Sequence, residues 1–215
     1  MNEIVQDYIE DYIRGLIPKG NPLLEAFRID AISKGIPIIH SEVQNYIEIL
    51  IKSRNIKSIL EIGTAVGYSA SIFVNAMGPQ GMIDTIERSL KMVTQADENI
   101  EKLGMSHQVN LILGDALEKV ETLNKTYDMI FLDGGKAHYI HLLDACLRCL
   151  KPGGVLVSDN VLFKGMIASN ALVSRRKITI VKRMRKYLEA ISNHPQLLTT
   201  ILPLGDGLAI SWMKE

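Results

Sequence analysis

Cysteine is scarce: the 215 residues contain two, Cys146 and Cys149, spaced as Cys-Leu-Arg-Cys. A redox or metal role for this pair is disfavoured, because no second pair exists to complete a zinc site and the two lie near the end of an amphipathic segment, YIHLLDACLRCLKPGG. His138 and His141 share that segment, and two histidines without a third ligand are more often packing or surface residues than a metal site. Long apolar runs are missing as well. No stretch approaches a bilayer-spanning length, and the N-terminal MNEIVQDYIEDYIRG is acidic and has no long apolar core, so a cytoplasmic protein without membrane association is expected. An excess of charge is also missing: Lys plus Arg and Asp plus Glu both number 24, so a polyanionic partner must be sought in local clusters. Repeats and low-complexity tracts are absent. A chain of this length that is 47% hydrophobic suits one buried core. The expectation is one domain over 1–215, with a helical N-terminal extension over 1–54 and the core over 55–215.

What is present is an alternation of periods. Residues 2–14 and 41–53 carry apolar residues at helical spacing, with Ser41 a plausible N-cap for the second; these segments suit a lid or an interface. From Lys57 onward, short apolar runs alternate with amphipathic segments. The strands are SILEIG, GMIDTIE, QVNLILG, YDMIFLD and GVLVSDN; the helices are YSASIFVNAM, SLKMVTQADENIEKLG, a short one after Asp115, and 136–150. A basic helix around 175–192 precedes LLTTILP and LAISWM, which LGDG joins into an antiparallel hairpin. The fold class predicted is α/β, a Rossmann-like doubly wound sheet of seven strands, mostly parallel with a C-terminal antiparallel hairpin, plus the N-terminal helices. Ligands of such folds sit beyond the carboxyl ends of the strands, near the switch in strand order.

The polar residues at those ends are therefore the candidates. The first strand leads into LEIGTAVGYS, whose Gly63 and Gly67 permit a tight turn before a helix N-terminus. Ala65 stands where the dinucleotide fingerprint needs a glycine, which disfavours a nicotinamide enzyme. Glu87 ends the second strand, at the distance expected of an acid that receives ribose hydroxyls, although a solvated strand end would look the same. Asp115, after the third, can cap its helix or accept from an adenine amino group. Together these describe a nucleoside pocket without a phosphate cradle, which S-adenosylmethionine fits. Asp133 ends the fourth strand, and Asp159 and Asn160 end the fifth. Two carboxylates and an amide oxygen suit a hard divalent cation such as Mg2+, while an ordinary strand-to-loop turn remains the plain alternative for Asp159-Asn160. Lys136 follows Asp133 closely; neighbouring positive charge and partial burial lower a lysine's pKa, which makes it a credible general base.

The blocks LEIGTAVGYSA, GDAL, FLDGGKAHY, KPGGVLVSDNV and GDGLAIS resemble those of the metal-dependent O-methyltransferases that include catechol and caffeoyl-coenzyme A methyltransferases, in the family's order and from about Ile38 to the C-terminus. By that resemblance Ile39, Glu61, Gly63 and Ser69 line the methionine end of S-adenosylmethionine, Glu87 holds the ribose, and Asp115 and Ala116 meet the adenine. Asp133 faces both cofactor and metal, Asp133, Asp159 and Asn160 are the metal ligands, and Lys136 is the catalytic lysine. The chain departs from both named groups: Gly134-Gly135 replaces the bulky aromatic pair of the catechol enzymes, and coenzyme-A-binding features are not apparent. A wider mouth suggests a bulky acceptor that enters with one flat ring.

Acids are missing again between Phe163 and Leu188, where Lys164, Arg175, Arg176, Lys177, Lys182, Arg183, Arg185 and Lys186 all occur. A charge run is usually a solvated helix face. This one follows the proposed metal ligands, so Arg175, Arg176 and Lys177 can position a phosphate backbone at the substrate entrance. The compact length and glycine-rich loop resemble bacterial tRNA 5-hydroxyuridine methyltransferases, which implies tRNA as the substrate and a homodimer as the assembly. The 5-hydroxyl and 4-carbonyl of that base form a vicinal oxygen pair that chelates Mg2+ as a catechol does. A small-molecule catechol or hydroxyphenol methyltransferase and a non-enzymatic adenosine-binding module are the alternatives; the module has no need of Lys136 or of an Asp-Asn pair.

Overall fold

The computed structural model describes residues 4–215. Five strands, β1 (Ser58–Ile62), β2 (Met82–Glu87), β3 (Val109–Leu113), β4 (Tyr127–Leu132) and β5 (Leu150–Ser158), run parallel, and β6 (Leu197–Leu202) and β7 (Leu208–Met213) close the sheet as an antiparallel hairpin. The order is β3-β2-β1-β4-β5-β7-β6, so the direction of winding switches between β1 and β4. Ile59, Leu60, Glu61 and Ile62 of β1 are all buried. A central parallel strand covered on both faces reads as a continuous apolar run rather than an alternation, and in β1 only Glu61 interrupts that run.

Helices cover both faces. One core joins α3 (Ser41–Ser53) and α4 (Tyr68–Met77) to the sheet through Ile47, Phe73 and Phe131; the other joins α6 (Ala116–Glu121), α7 (Tyr139–Cys149) and α8 (Ile178–Ser192) through Leu142, Tyr187 and Leu132. Cys146 and Cys149 are free and buried in the second core. Among the described residues no helix is long and apolar enough to cross a membrane.

Local chemistry adjusts the expected boundaries. The first helix, α1 (Asp7–Leu16), starts later than expected, after a bend at Ile4 and Val5, and residues 1–3 lie outside the described residues. Ser41 is the first helical residue rather than the cap: extended His40 holds the cap position and no side chain caps the helix. A helix not anticipated, α2 (Pro22–Ser33), begins where Asn21 Oδ1 accepts from Leu23 N at 2.9 Å and Pro22 occupies the first turn. Asn-Pro before spaced apolar residues was the available signal. The helix expected over 136–150 is a 3-10 turn, Lys136–His138, followed by α7, which ends at Cys149 because Leu150 already pairs with Tyr127 in the sheet. Similarly, the basic segment opens as a 3-10 turn, Arg175–Lys177, before α8.

Candidate active site

The switch between β1 and β4 requires two loops to pass at close range. Gly63 has φ +107°, and a Cβ there would lie 2.8 Å from the Gly134 nitrogen; a Cβ on Gly134 would in turn meet the Gly63 Cα at 2.9 Å. Two glycines are therefore needed for the loops to cross, and Asp133 N bonds to Ile62 O at 3.0 Å beside them.

A cavity of about 260 Å³ opens on one side of this crossing, lined by Gly63, Glu87, Asp115, Ala116, Gly135 and His138. Glu87 accepts from Ala65 N at 3.1 Å and Ser89 N at 2.9 Å, so its carboxylate is fixed at the end of β2. Asp115 caps α6 by accepting from Leu117 N at 2.9 Å, which realises one of its two expected roles while leaving it on the cavity wall. On the other side lies a narrow cleft of about 20 Å³ with Ile39, Ser69 and Asp133 in its wall. Larger hollows of about 390 Å³ between α2 and α5 (Leu90–Lys102) and about 800 Å³ beside Arg148 and the C-terminus gather none of the strand-end residues.

Glu61 lies behind the cleft, wholly buried. Burial raises its carboxyl to about 7, opposed by the nearby hydroxyls of Ser69 and Thr85, the latter donating to Oε2, and helped by the charge of Glu87. Its Oε1 has no partner. A buried acceptor left over beside Ser69 is the acceptor that an ammonium group would satisfy, so the residues fit the amino-acid end of S-adenosylmethionine.

At the ends of β4 and β5, Asn160 Nδ2 donates to Asp133 Oδ1 at 2.7 Å, and Asp159 Oδ1 accepts from Asn160 N at 2.6 Å. The Tyr139 hydroxyl ties the two strand ends together, 2.9 Å from Leu132 O and 3.2 Å from Asp159 O. Burial, then the charge of Asp159, pushes the Asp133 carboxyl well up; burial also raises Asp159. Two buried acids whose carboxyls both lie above the ordinary range, although the Lys136 charge lowers each, form with the Asn160 amide oxygen a donor set fit for a hard divalent ion. Among the described residues no group of three or more His, Cys, Asp or Glu side chains is arranged to hold a metal.

Lys136 faces the same end. Its Nζ is 3.8 Å from Asp206 Oδ2 and 5.4 Å from the centroid of the Phe163 ring, and Lys177 Nζ lies 5.7 Å from that centroid. The basic turn thus adjoins the strand-end cluster.

The O-methyltransferase family profile matches residues 22–214. The chain belongs to the O-methyltransferase family. The expectation of an S-adenosylmethionine-dependent O-methyltransferase thereby holds. A catechol O-methyltransferase of Niastella koreensis is 27% identical, covering 100% of both chains. Tapetum-specific methyltransferase 1 of Arabidopsis thaliana is 26% identical over 90% of this chain and 87% of its own. A proposed caffeoyl-CoA O-methyltransferase of Staphylococcus aureus superposes with a TM-score of 0.90 at 34% identity, covering 96% of this chain and 100% of that one. The Bacillus cereus O-methyltransferase solved with S-adenosylhomocysteine has the same fold, with a TM-score of 0.84 at 23% identity, covering 96% and 97%.

In this O-methyltransferase the sheet gathers Ile39, Gly63, Ser69, Glu87, Asp115, Ala116 and Asp133 around two adjoining clefts, and sets Lys136, Asp159 and Asn160 beside them. Arg175, Arg176 and Lys177 are exposed. Sequence reasoning gave no role to Asp206 or Phe163. Asp206 sits in the loop that joins β6 and β7, accepts from Lys164 N and pairs with Lys136; the only available sign was an acid between two glycines just before a strand. Nor are all eight basic residues free: Arg185 donates to Ile167 O, Met166 O and Asn170 Oδ1.

Proposed function

We propose that this O-methyltransferase acts on one hydroxyl of a vicinal oxygen pair, and that the pair belongs to 5-hydroxyuridine in tRNA, giving 5-methoxyuridine. The observation that carries the proposal is the shared ring of Phe163: the candidate catalytic cation Lys136 lies on it at 5.4 Å, and Lys177, from the exposed basic turn, at 5.7 Å. A flat base entering at Lys136 meets a cationic turn able to hold its phosphates.

The chain's own groups divide the work. Glu61 receives the donor's ammonium, Glu87 its ribose hydroxyls, and Asp115 and Ala116 its adenine; bound there, S-adenosylmethionine supplies a methyl group already activated as a sulfonium. Lys136, beside Asp206, orients the acceptor hydroxyl and, once its Nζ has released a proton to solvent, takes the hydroxyl proton there. Asp133, Asp159 and Asn160 would hold Mg2+ or a similar divalent ion, which would supply positive charge to a developing oxyanion. Because the donor is activated, positioning carries most of the rate.

A second reading, a catechol or hydroxyphenol acceptor, is favoured by the full-length similarity to the Niastella koreensis catechol enzyme. Purified protein, labelled methyl donor, and either bulk tRNA or catechol decide between them. Label in tRNA alone supports the first reading; label in catechol alone removes it. A homodimer is part of the same proposal, supported by the exposed Tyr8, Tyr12 and Leu16 along α1, and sedimentation would measure it.

A further inference from the structure

The chain after the fifth strand takes a backbone path that few sequences adopt. Asn160, Phe163 and Lys164 have φ of 61°, 46° and 54°, and Gly165 follows at 76°. Non-glycine residues persist in that region only when surrounding contacts hold them there. On one side the holding groups belong to the loop between β6 and β7: Val161 N bonds to Gly207 O and Leu162 N to Asp206 O, both at 2.9 Å, and Lys164 N bonds to the Asp206 carboxylate.

On the other side the turn's own backbone bonds, among them Met166 N to Phe163 O at 3.1 Å, are joined by one arginine side chain. Arg185, on α8, places Nε 2.9 Å from Ile167 O, Nη2 3.1 Å from Met166 O and Nη1 2.8 Å from Asn170 Oδ1. Three acceptors on one turn are bridged by one planar fork, with Met166 buried beneath. A lysine could keep the charge but could not span the three acceptors from a point.

We propose that Arg185 is a positioning residue: it locks the turn over residues 163–170 so that Phe163 stays between Lys136 and Lys177 at the acceptor side. The assignment of that side to the acceptor rests on the reading above; the clamp itself does not. Arg185 is thereby separated from its exposed basic neighbours, since its donors already face the protein's own carbonyls. It acts on acceptor placement through Phe163, and the cofactor clefts on the far side of Asp133 do not depend on it.

The test compares wild type, Arg185→Lys, Arg185→Ala and, as a control for charge alone, Lys186→Ala, whose side chain is exposed on the same helix. Hydrogen exchange of the unliganded protein should show faster exchange over 163–170 in both Arg185 variants and not in Lys186→Ala. With whichever acceptor wild type methylates, kcat/KM for the acceptor should fall about 10- to 100-fold in both Arg185 variants. Affinity for S-adenosylmethionine should stay within about twofold. Wild-type exchange and kinetics in Arg185→Lys would show that charge suffices, overturning the proposal. A parallel loss of S-adenosylmethionine affinity in Arg185→Lys would show a general structural role and overturn it equally. If wild type methylates neither tRNA nor catechol, the acceptor reading fails, and the exchange comparison alone decides the clamp.

Discussion

Glu61 is the side chain on which burial and ligand binding oppose each other most directly. Its carboxyl rises from 4.5 to about 7 because it is wholly buried and lies near the charge of Glu87, and one of its oxygens has no partner. A carboxyl raised in the folded protein contributes stability that is fully present below about pH 4.5 and is lost as pH rises through about 7. The unliganded wild type should therefore lose stability relative to Glu61→Gln over that window, by on the order of 3 kcal/mol, read from denaturant midpoints at a series of pH values. A flat difference between the two proteins would remove Glu61 from this account. Glu87 offers a separate test on the cofactor, since its carboxylate is fixed by two backbone amides and faces the cavity. Glu87→Ala should weaken S-adenosylmethionine binding by about 1–3 kcal/mol through loss of charge-assisted hydrogen bonds to the ribose. Calorimetry would measure it, and unchanged affinity would separate Glu87 from the ribose.

Loops and helices bring further consequences that no single side chain carries. Gly63→Ala places a Cβ 2.8 Å from the Gly134 backbone at a φ of +107°, and neither crossing loop can yield without moving a strand end. The cost should be about 1–3 kcal/mol in chemical denaturation, with loss of cofactor binding alongside it. Helix α1 is tied to α3 by Arg14, whose guanidinium reaches Glu42 at 2.9 and 2.8 Å and Glu10 at 3.0 Å. Burial works against Glu42, yet its hydrogen bonds to Arg14 and His40 hold its carboxyl well below the ordinary range. That contribution is present above the ordinary carboxylate range and is lost as pH falls. The pairing joins residues 28 apart in the chain, and nothing in the periodicity of either helix announced it. By contrast, the existence of α4, α5 and the strands around them was legible, because each follows from spacing within a few residues.

Across the whole molecule, neutrality conceals segregation. Twenty-four basic and 24 acidic residues cancel, yet the acid-free run from Phe163 to Leu188 lies beside the candidate active site. If tRNA is the acceptor, replacing Arg175, Arg176 and Lys177 with alanine should raise the KM for tRNA and leave S-adenosylmethionine affinity nearly intact. The log–log dependence of RNA affinity on salt should flatten by roughly 0.7 to 0.9 for each phosphate contact removed. Equal loss on tRNA and catechol would indicate misfolding, and no loss on either would return the turn to a solvated surface. Chelation tests the other end of the site: EDTA should abolish turnover and Mg2+ restore it, whereas full activity in chelator would remove the metal from the mechanism.

The sequence alone determined what depends on neighbours in the chain: the alternation of strands and helices from β1 onward, the polar residues left at the strand ends, and the glycines that interrupt them. Those features follow from backbone periodicity and local hydrogen bonding, which act over a few residues. Only the tertiary structure decided which ends meet. It set β1 beside β4, so that Gly63 crosses Gly134; it brought Asp206 from the closing hairpin to Lys136; and it turned Arg185 from an apparent member of a basic patch into a clamp on the chain's own carbonyls. Each of these depends on contacts between segments far apart in the chain, where packing of the sheet and its helices, rather than local preference, selects the partner.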